Sequence, residues 1–172
     1  MQTSFILKDI ARRETLDSLA ARYEEFDRSG QECFLALLSV AGAMMESIEA
    51  QLARYRISQG RIRILLELEQ APGQALAAGA LAQRLGLAPA TITGLLDGLE
   101  RAGLARRERR HEDRRGVKVC LTPRGAKLLA RIMPERFRRN ARLMSKLSEP
   151  ERRVLLRLLA TVSGGLKEFS RP

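Results

Sequence analysis

The stretch from Leu81 to Leu121 constrains the fold of this chain more than any other part of the sequence. Its first part, LAQRLGL, carries leucines at helical spacing and includes Gly86, a residue at which helices commonly end because glycine adopts left-handed backbone angles without steric cost. Pro89 then suits the first turn of a second helix, because its ring fixes a helical φ. The sequence therefore predicts two short helices joined by a tight turn.

The second of these helices has two contrasting faces. Its apolar residues recur three and four positions apart, and the opposite face is small and polar, as a helix lying in the major groove of DNA requires. The residues on that opposite face that we predict to lie against DNA, with the proline that opens the helix, are Pro89, Ala90, Thr91, Thr93 and Gly94.

A basic hairpin is predicted directly after this helix. Gly103 closes the helix, and the segments LARRERR and GVKVCLT each fit a short strand around the turn-like sequence HEDRRG. From Arg101 to Lys118 there are eight basic and three acidic side chains, a net charge of +5. Arginines at the tip of a hairpin can reach phosphates and the narrow minor groove, where the negative potential is strongest.

Individual roles can be assigned within the hairpin. We predict that Arg114 and Arg115 enter the minor groove and that Arg109 and Arg110 contact phosphates. Asp113 is acidic among arginines, so we expect it to orient Arg115 through an ion pair rather than to touch DNA.

The pattern LxxxLGLxxxTITxLLDxLExxGLxxRxxxxEDRRxxxVxLTPRG resembles the MarR family of winged helix-turn-helix transcriptional regulators. The resemblance implies that the helix opened by Pro89 is a recognition helix and that Asp113 and Arg115 match the D-x-R signature of the wing. More loosely, it covers flanking helices from about residue 29 to residue 169, which form a dimerisation domain in that family.

The chain departs from the family pattern in the recognition helix. Gly94 and Gly98 stand where members often carry arginine, so base reading would rest on Thr91, Thr93 and contacts close to the backbone.

The predicted fold is mainly α with a small β wing. It comprises an N-terminal extension (1–30), a dimerisation helix (31–57), a winged helix-turn-helix lobe (58–121) and C-terminal dimerisation helices (122–172). Pro134 is expected to kink or interrupt the first of these C-terminal helices. The apolar stripes of the long helices exceed what the winged core can cover, which predicts that two subunits cover each other in a homodimer.

The charge balance points to a polyanionic partner. The formal net charge is +11 and the isoelectric point is near 10.9, whereas residues 1–32 carry five basic and seven acidic side chains, so the basic surface is local. Aromatic residues make up only 4% of the chain, which argues against binding single strands by base stacking. Double-stranded DNA is therefore the expected partner.

Other function classes find little support. The apolar run from Phe34 to Met45 is well short of the roughly twenty residues of a membrane span, and no secretory signal is evident, so we expect a cytoplasmic protein without a membrane segment. Cys33 and Cys120 lack metal-ligand spacing, the single histidine, His111, has no evident partners, and no catalytic motif stands out. We expect neither a cofactor nor an enzymatic activity.

The expected function is that of a transcriptional regulator, most simply a repressor, which binds a near-palindromic operator as a homodimer. A small-molecule effector bound between the winged lobe and the dimer helices would relieve binding. One alternative is a thiol-based peroxide sensor, because the context GQECFLALL of Cys33 resembles that of the reactive cysteine in the organic hydroperoxide branch of the family, although a free cysteine is also common as a small buried apolar residue. Another is a non-specific architectural DNA-binding protein.

Overall fold

The computed structural model describes residues 13–109 and 117–169. Within these residues there are seven α-helices and three β-strands. In chain order they are α1 (Arg13–Arg22), α2 (Arg28–Ala53), α3 (Gln59–Gln70), β1 (Ala75–Ala77), α4 (Ala78–Leu85), α5 (Pro89–Arg101), β2 (Ala105–Arg109), β3 (Val117–Leu121), α6 (Pro123–Met144) and α7 (Glu149–Phe169). A short 3-10 helix, Pro72–Gln74, precedes β1. The predicted fold class, mainly α with a small β wing, is confirmed.

The chain forms two compact units, residues 1–64 and 65–172. In the first unit, the loop between α1 and α2 is closed by Arg28, which pairs with Asp17 of α1 and with Glu32 one turn further along α2. The buried apolar residues of this unit are Leu16, Leu35, Leu52, Ile57, Ile62 and Ile64.

Most of helix α2 is exposed. Its side chains from residue 36 to residue 47 all lie at the surface, including Leu38, Val40 and Met45, and Phe34 just before this segment is exposed as well. By length and composition alone, α2 is also long and apolar enough to cross a membrane. The expectation of no membrane segment rested on the shorter run inside this helix. A helix of this kind needs an apolar partner, whether lipid or protein.

The second unit contains the predicted helix-turn-helix. Helix α4 ends at Gly86, whose φ of 63° is left-handed, and its carbonyls at residues 82 and 83 accept the backbone N–H of that glycine. Pro89 occupies the first turn of α5. The two helices bury leucine and isoleucine against the core of this unit, at Leu81, Leu85, Ile92, Leu96 and Leu99. Glycine at the turn and proline at the following helix start both act as the sequence predicted.

The sheet of the second unit is antiparallel, with the strand order β1-β3-β2. Strand β1 pairs with β3 through Leu76 and Val119. Side chains alternate between the two faces along each strand, and Ala105, Val119 and Leu121 are buried on the inner face. The neighbouring positions, such as Arg106 and Cys120, therefore belong to the outer face.

Helix α6 begins at the boundary predicted for the C-terminal helices, and Pro134 does not interrupt it. The Thr122 side chain caps it by accepting the backbone N–H of Gly125 at 3.1 Å and by donating to the Gly103 carbonyl at 2.8 Å. Pro134 lies inside α6, which runs unbroken from residue 123 to residue 144. Of the two outcomes expected at Pro134, the interruption is wrong, because a proline removes a single helical hydrogen bond and the neighbouring bonds are enough to continue the helix, whereas the kink stays a prediction.

Helix α7 starts with a capping box formed by Ser148 and Glu151. A Glu151 carboxylate oxygen accepts the backbone N–H of Ser148 at 2.7 Å and its hydroxyl at 2.6 Å. The hydroxyl bond first, and the backbone bond second, lower the pKa of Glu151 below its ordinary value of 4.5, because both stabilise the charged form.

Candidate nucleic-acid interface

Helix α5 separates a buried face from an exposed one. Ile92, Leu96 and Leu99 are buried, whereas Pro89, Ala90, Thr91, Thr93 and Gly94 are all exposed. The five residues predicted to lie against DNA therefore share one accessible surface at the N-terminal half of α5. A surface of small side chains lets a helix approach base edges closely, because little bulk stands between the helix backbone and the groove.

Two residues on this surface have distinct local properties. The Thr93 hydroxyl donates to the Pro89 carbonyl at 3.0 Å, so its oxygen retains lone pairs that can accept a further hydrogen bond. A Cβ built on Gly94 would meet no heavy atom within 4 Å. Packing within the protein therefore does not require glycine there.

The hairpin that follows α5 lies partly inside the described residues. Strands β2 and β3 pair from Ala105 with Leu121 to Arg109 with Val117, so the segment 110–116 connects the paired strand ends. Arg110, Asp113, Arg114 and Arg115 belong to that segment and lie outside the described residues. The Arg109 backbone ends β2, but its side chain is not described, so the roles given to these residues remain predictions.

Strand β2 is tied to α5 by ionic contacts. One guanidinium nitrogen of Arg107 lies 2.5 Å from a Glu100 carboxylate oxygen, and another lies 2.8 Å from Asp97. The backbone N–H of Arg107 also donates to Glu100, at 2.8 Å. All three residues stand in the family pattern quoted above, but the sequence by itself assigned no role to them. The contact of Arg107 with α5 could have been predicted from the alternation of side chains along β2, because this alternation places Arg107 on the same side as buried Ala105.

A second cluster of polar side chains lies on the outer face of the sheet. Arg106 pairs with Glu108 at 2.6 Å, and the Cys120 thiol donates to Glu108 at 3.2 Å. Together with Lys118 and Gln74, these residues border an open cavity of about 350 Å³. Nowhere in residues 13–109 and 117–169 do three or more histidine, cysteine or acidic side chains gather as metal ligands would.

Cys33 lies on α2 and is exposed in the single chain. The interpretation of this residue as a small buried apolar side chain is therefore wrong for the isolated subunit, because the Cys33 side chain lies at the surface of α2. Cys120 is half-buried in β3, within the sheet as expected.

Comparison with known proteins decides the family. The model of the MarR family matches residues 57–117, the segment that contains α4, α5 and β2. Over 163 residues the chain is 31% identical to the HTH-type transcriptional repressor YetL of Bacillus subtilis, covering 95% of this chain and 98% of that protein. The chain belongs to the MarR family. The resemblance carried by the motif is thus confirmed over nearly the whole length.

Two solved structures share the fold. Sco3205, a MarR family transcriptional regulator from Streptomyces coelicolor solved in complex with DNA, superposes with a TM-score of 0.73 at 22% identity, covering 82% of this chain and 89% of that one. NadR, solved in complex with 4-hydroxyphenylacetate, superposes with a TM-score of 0.57 at 28% identity, covering 74% of this chain and 89% of that one.

Family membership determines the general activity. MarR-family proteins are DNA-binding transcriptional regulators and not enzymes. This chain is accordingly a DNA-binding transcriptional regulator, as the basic hairpin beside a two-helix reader predicted.

Proposed function

We propose that this protein is a homodimeric repressor that reads a near-palindromic operator with α5 and the hairpin of β2 and β3, hereafter the recognition helix and the wing. The observation that carries the proposal is the accessible small and polar face of the recognition helix, which is followed within a few residues by the basic wing in the same compact unit. One element suits the major groove and the other suits phosphates and the minor groove.

The exposed apolar surface of the long helices supports a dimer. Soluble chains rarely expose large contiguous apolar patches, and such patches mark surfaces covered by a partner. The large apolar side chains of α7 that are exposed in the single subunit are Val154, Leu156, Leu158, Leu159, Val162, Leu166 and Phe169. Those of α2 are Phe34, Leu37, Leu38, Val40, Met44 and Met45. A second copy of the chain would cover them.

A two-fold dimer makes a geometric prediction about the operator. Two recognition helices related by symmetry read half-sites about one helical turn apart, roughly 34 Å, so the site should be a near-palindrome. Repression, the activity named for the related YetL, is the regulatory outcome that we propose here.

We further propose that a small aromatic or anionic effector relieves DNA binding, an idea supported by the complex of NadR with 4-hydroxyphenylacetate. Such an effector must bind the DNA-incompetent arrangement of the dimer more tightly than the DNA-competent one, because a ligand with equal affinity for both shifts nothing.

A second candidate is a thiol sensor in which oxidation of Cys33, which is exposed in the single subunit, ends DNA binding. The Cys33→Ser variant distinguishes the two candidates. If peroxide still releases operator DNA from this variant, the thiol sensor is excluded, whereas release that depends on Cys33 would support it.

The experiment that tests the proposal is binding to DNA immediately upstream of the protein's own coding sequence and to operator candidates selected from random duplexes. Scrambled duplexes of equal length serve as the comparison at physiological salt. We expect a preference of about a thousandfold or more, with protection of a near-palindrome. Equal binding to all duplexes with a steep salt dependence would instead indicate an architectural DNA-binding protein.

Variants then assign the contacts. Thr91→Ala and Thr93→Ala should reduce binding to the operator more than binding to scrambled DNA, because base contacts confer specificity. Arg114→Ala and Arg115→Ala should weaken the wing contact and reduce the salt dependence. Arg153→Ala is the matched control, because it also removes one positive charge but from an exposed ion pair with Glu149 on α7.

A further inference from the structure

One arginine on the inner face of β2 connects the wing to the recognition helix. Ala105 is buried on this face, and Arg107, two residues later, lies on the same side because side chains alternate along a strand. From there its guanidinium reaches Asp97 at 2.8 Å and Glu100 at 2.5 Å, one turn apart on the recognition helix. A single side chain in the wing thus binds two carboxylates of the helix.

Glu100 is bound twice by the same residue. One of its oxygens accepts the Arg107 guanidinium, and the other accepts the Arg107 backbone N–H at 2.8 Å. The backbone bond fixes the position of the strand, and the side-chain bonds fix its rotation about the strand axis. About a third of the arginine side chain remains exposed, at 34%, and the Glu100 side chain is 28% exposed, so solvent screens these contacts only in part.

We infer that Arg107 is a positioning residue for DNA recognition, which acts through Asp97 and Glu100 to hold the wing at a fixed angle to the recognition helix. The inference rests on the proposed reading of DNA by both elements. Contacts in the major and the adjacent minor groove can form together only if the two elements keep a defined spacing, since a displacement of about 1 Å is enough to lose well-aligned contacts. Arg107 carries a positive charge beside the DNA-reading surface, but its guanidinium is already engaged by carboxylates.

The direction in which one substitution changes the affinity for operator DNA distinguishes this role from a direct phosphate contact. Glu100→Gln removes a negative charge near the DNA surface, so electrostatics alone would leave DNA binding unchanged or strengthen it. If Glu100 holds Arg107 in place, the same change should weaken operator binding by about tenfold, the loss typical of one mismatched base pair. Arg107→Met should weaken operator binding by a similar factor, and the double variant should be no weaker than the single ones, because all three remove the same contact.

Salt dependence separates the positioning role from a direct phosphate contact, and footprinting separates it from a merely structural role. The slope of log affinity against log salt should be the same for Arg107→Met and for Arg106→Met, whereas loss of a phosphate contact by Arg107 would lower its slope by about one. Arg106→Met is the matched control, because it removes one positive charge from the adjacent position of β2, where Arg106 pairs with Glu108 on the outer face. In Arg107→Met, protection of the minor groove should be lost at protein concentrations that still protect the major groove.

The inference is overturned if Glu100→Gln binds the operator as tightly as the wild type, or if Arg107→Met alone shows the smaller salt slope. Circular dichroism and the melting temperature control for loss of the fold. Failure of the proposed function is seen separately, as a wild-type protein without operator preference. The inference is then decided by amide hydrogen exchange, which should be faster in residues 105–109 of Arg107→Met than of Arg106→Met, and equal rates would refute it.

Discussion

Replacement of Gly94 by alanine should separate the stability of this protein from its function. Glycine in the interior of a helix costs about 1 kcal/mol relative to alanine, because the unfolded chain loses more conformational freedom. Gly94 is the sixth residue of α5, its φ is not positive, and an added Cβ would meet no heavy atom within 4 Å. In the free protein the substitution should therefore be stabilising.

The expected size of the gain follows from these values. About 1 kcal/mol corresponds to a rise in melting temperature of about 3 °C for a chain of this length. Operator binding should change in the opposite direction. If this surface lies against base edges, the added methyl group must be accommodated by shifting the helix, at a cost of about 1 kcal/mol or more, so operator affinity should fall at least about fivefold.

Differential scanning calorimetry and fluorescence anisotropy with operator DNA measure the two effects on the same samples. Gly79→Ala is the matched control, since Gly79 is also an exposed helical glycine with open space around its Cβ but is not proposed to touch DNA. It should gain stability and keep operator affinity. The reasoning is refuted if Gly94→Ala lowers the melting temperature, or if it binds operator DNA as the wild type does.

Three further predictions concern the helix starts. Gly125→Ala should destabilise the protein by about 1–3 kcal/mol in chemical denaturation, because the new Cβ would clash with the Leu104 carbonyl oxygen; an unchanged midpoint would show that this turn yields freely. Thr122→Val should cost about 1 kcal/mol by the same assay, because the cap of α6 is lost, and a neutral outcome would mean that water replaces it. The lowered pKa of Glu151 means that its bonds to Ser148 stabilise the fold above about pH 4.5 and lose this effect as the pH falls through the folded-state pKa. Unfolding free energies of the wild type and Glu151→Gln should therefore converge below that pH, and a constant difference down to pH 3 would contradict the assignment.

The proposed dimer, operator and effector share one mechanical requirement. In the proposed mechanism an effector changes the arrangement of two DNA-reading surfaces, and each surface must itself stay rigid for that change to be transmitted. Contacts within one unit, such as those of Arg107 with Asp97 and Glu100, would supply that rigidity.

Local signals in the sequence were sufficient for the helix-turn-helix and the wing strands. Gly86 and Pro89 act through bonds or backbone angles that involve residues within about four positions, so their effects can be deduced without knowing the rest of the fold. The MarR motif was recognisable for the same reason, because its residues lie in one continuous stretch.

Tertiary structure decided the features that depend on how distant elements are rotated and packed. The sequence shows that Arg107 is basic and lies in a strand, but only the packing of β2 on α5 shows that it faces Asp97 and Glu100. The exposure of the Cys33 side chain likewise depends on which side of α2 packs against the rest of its unit. Periodicity along a chain fixes which residues share a face, whereas what that face meets is set by contacts between residues far apart in sequence.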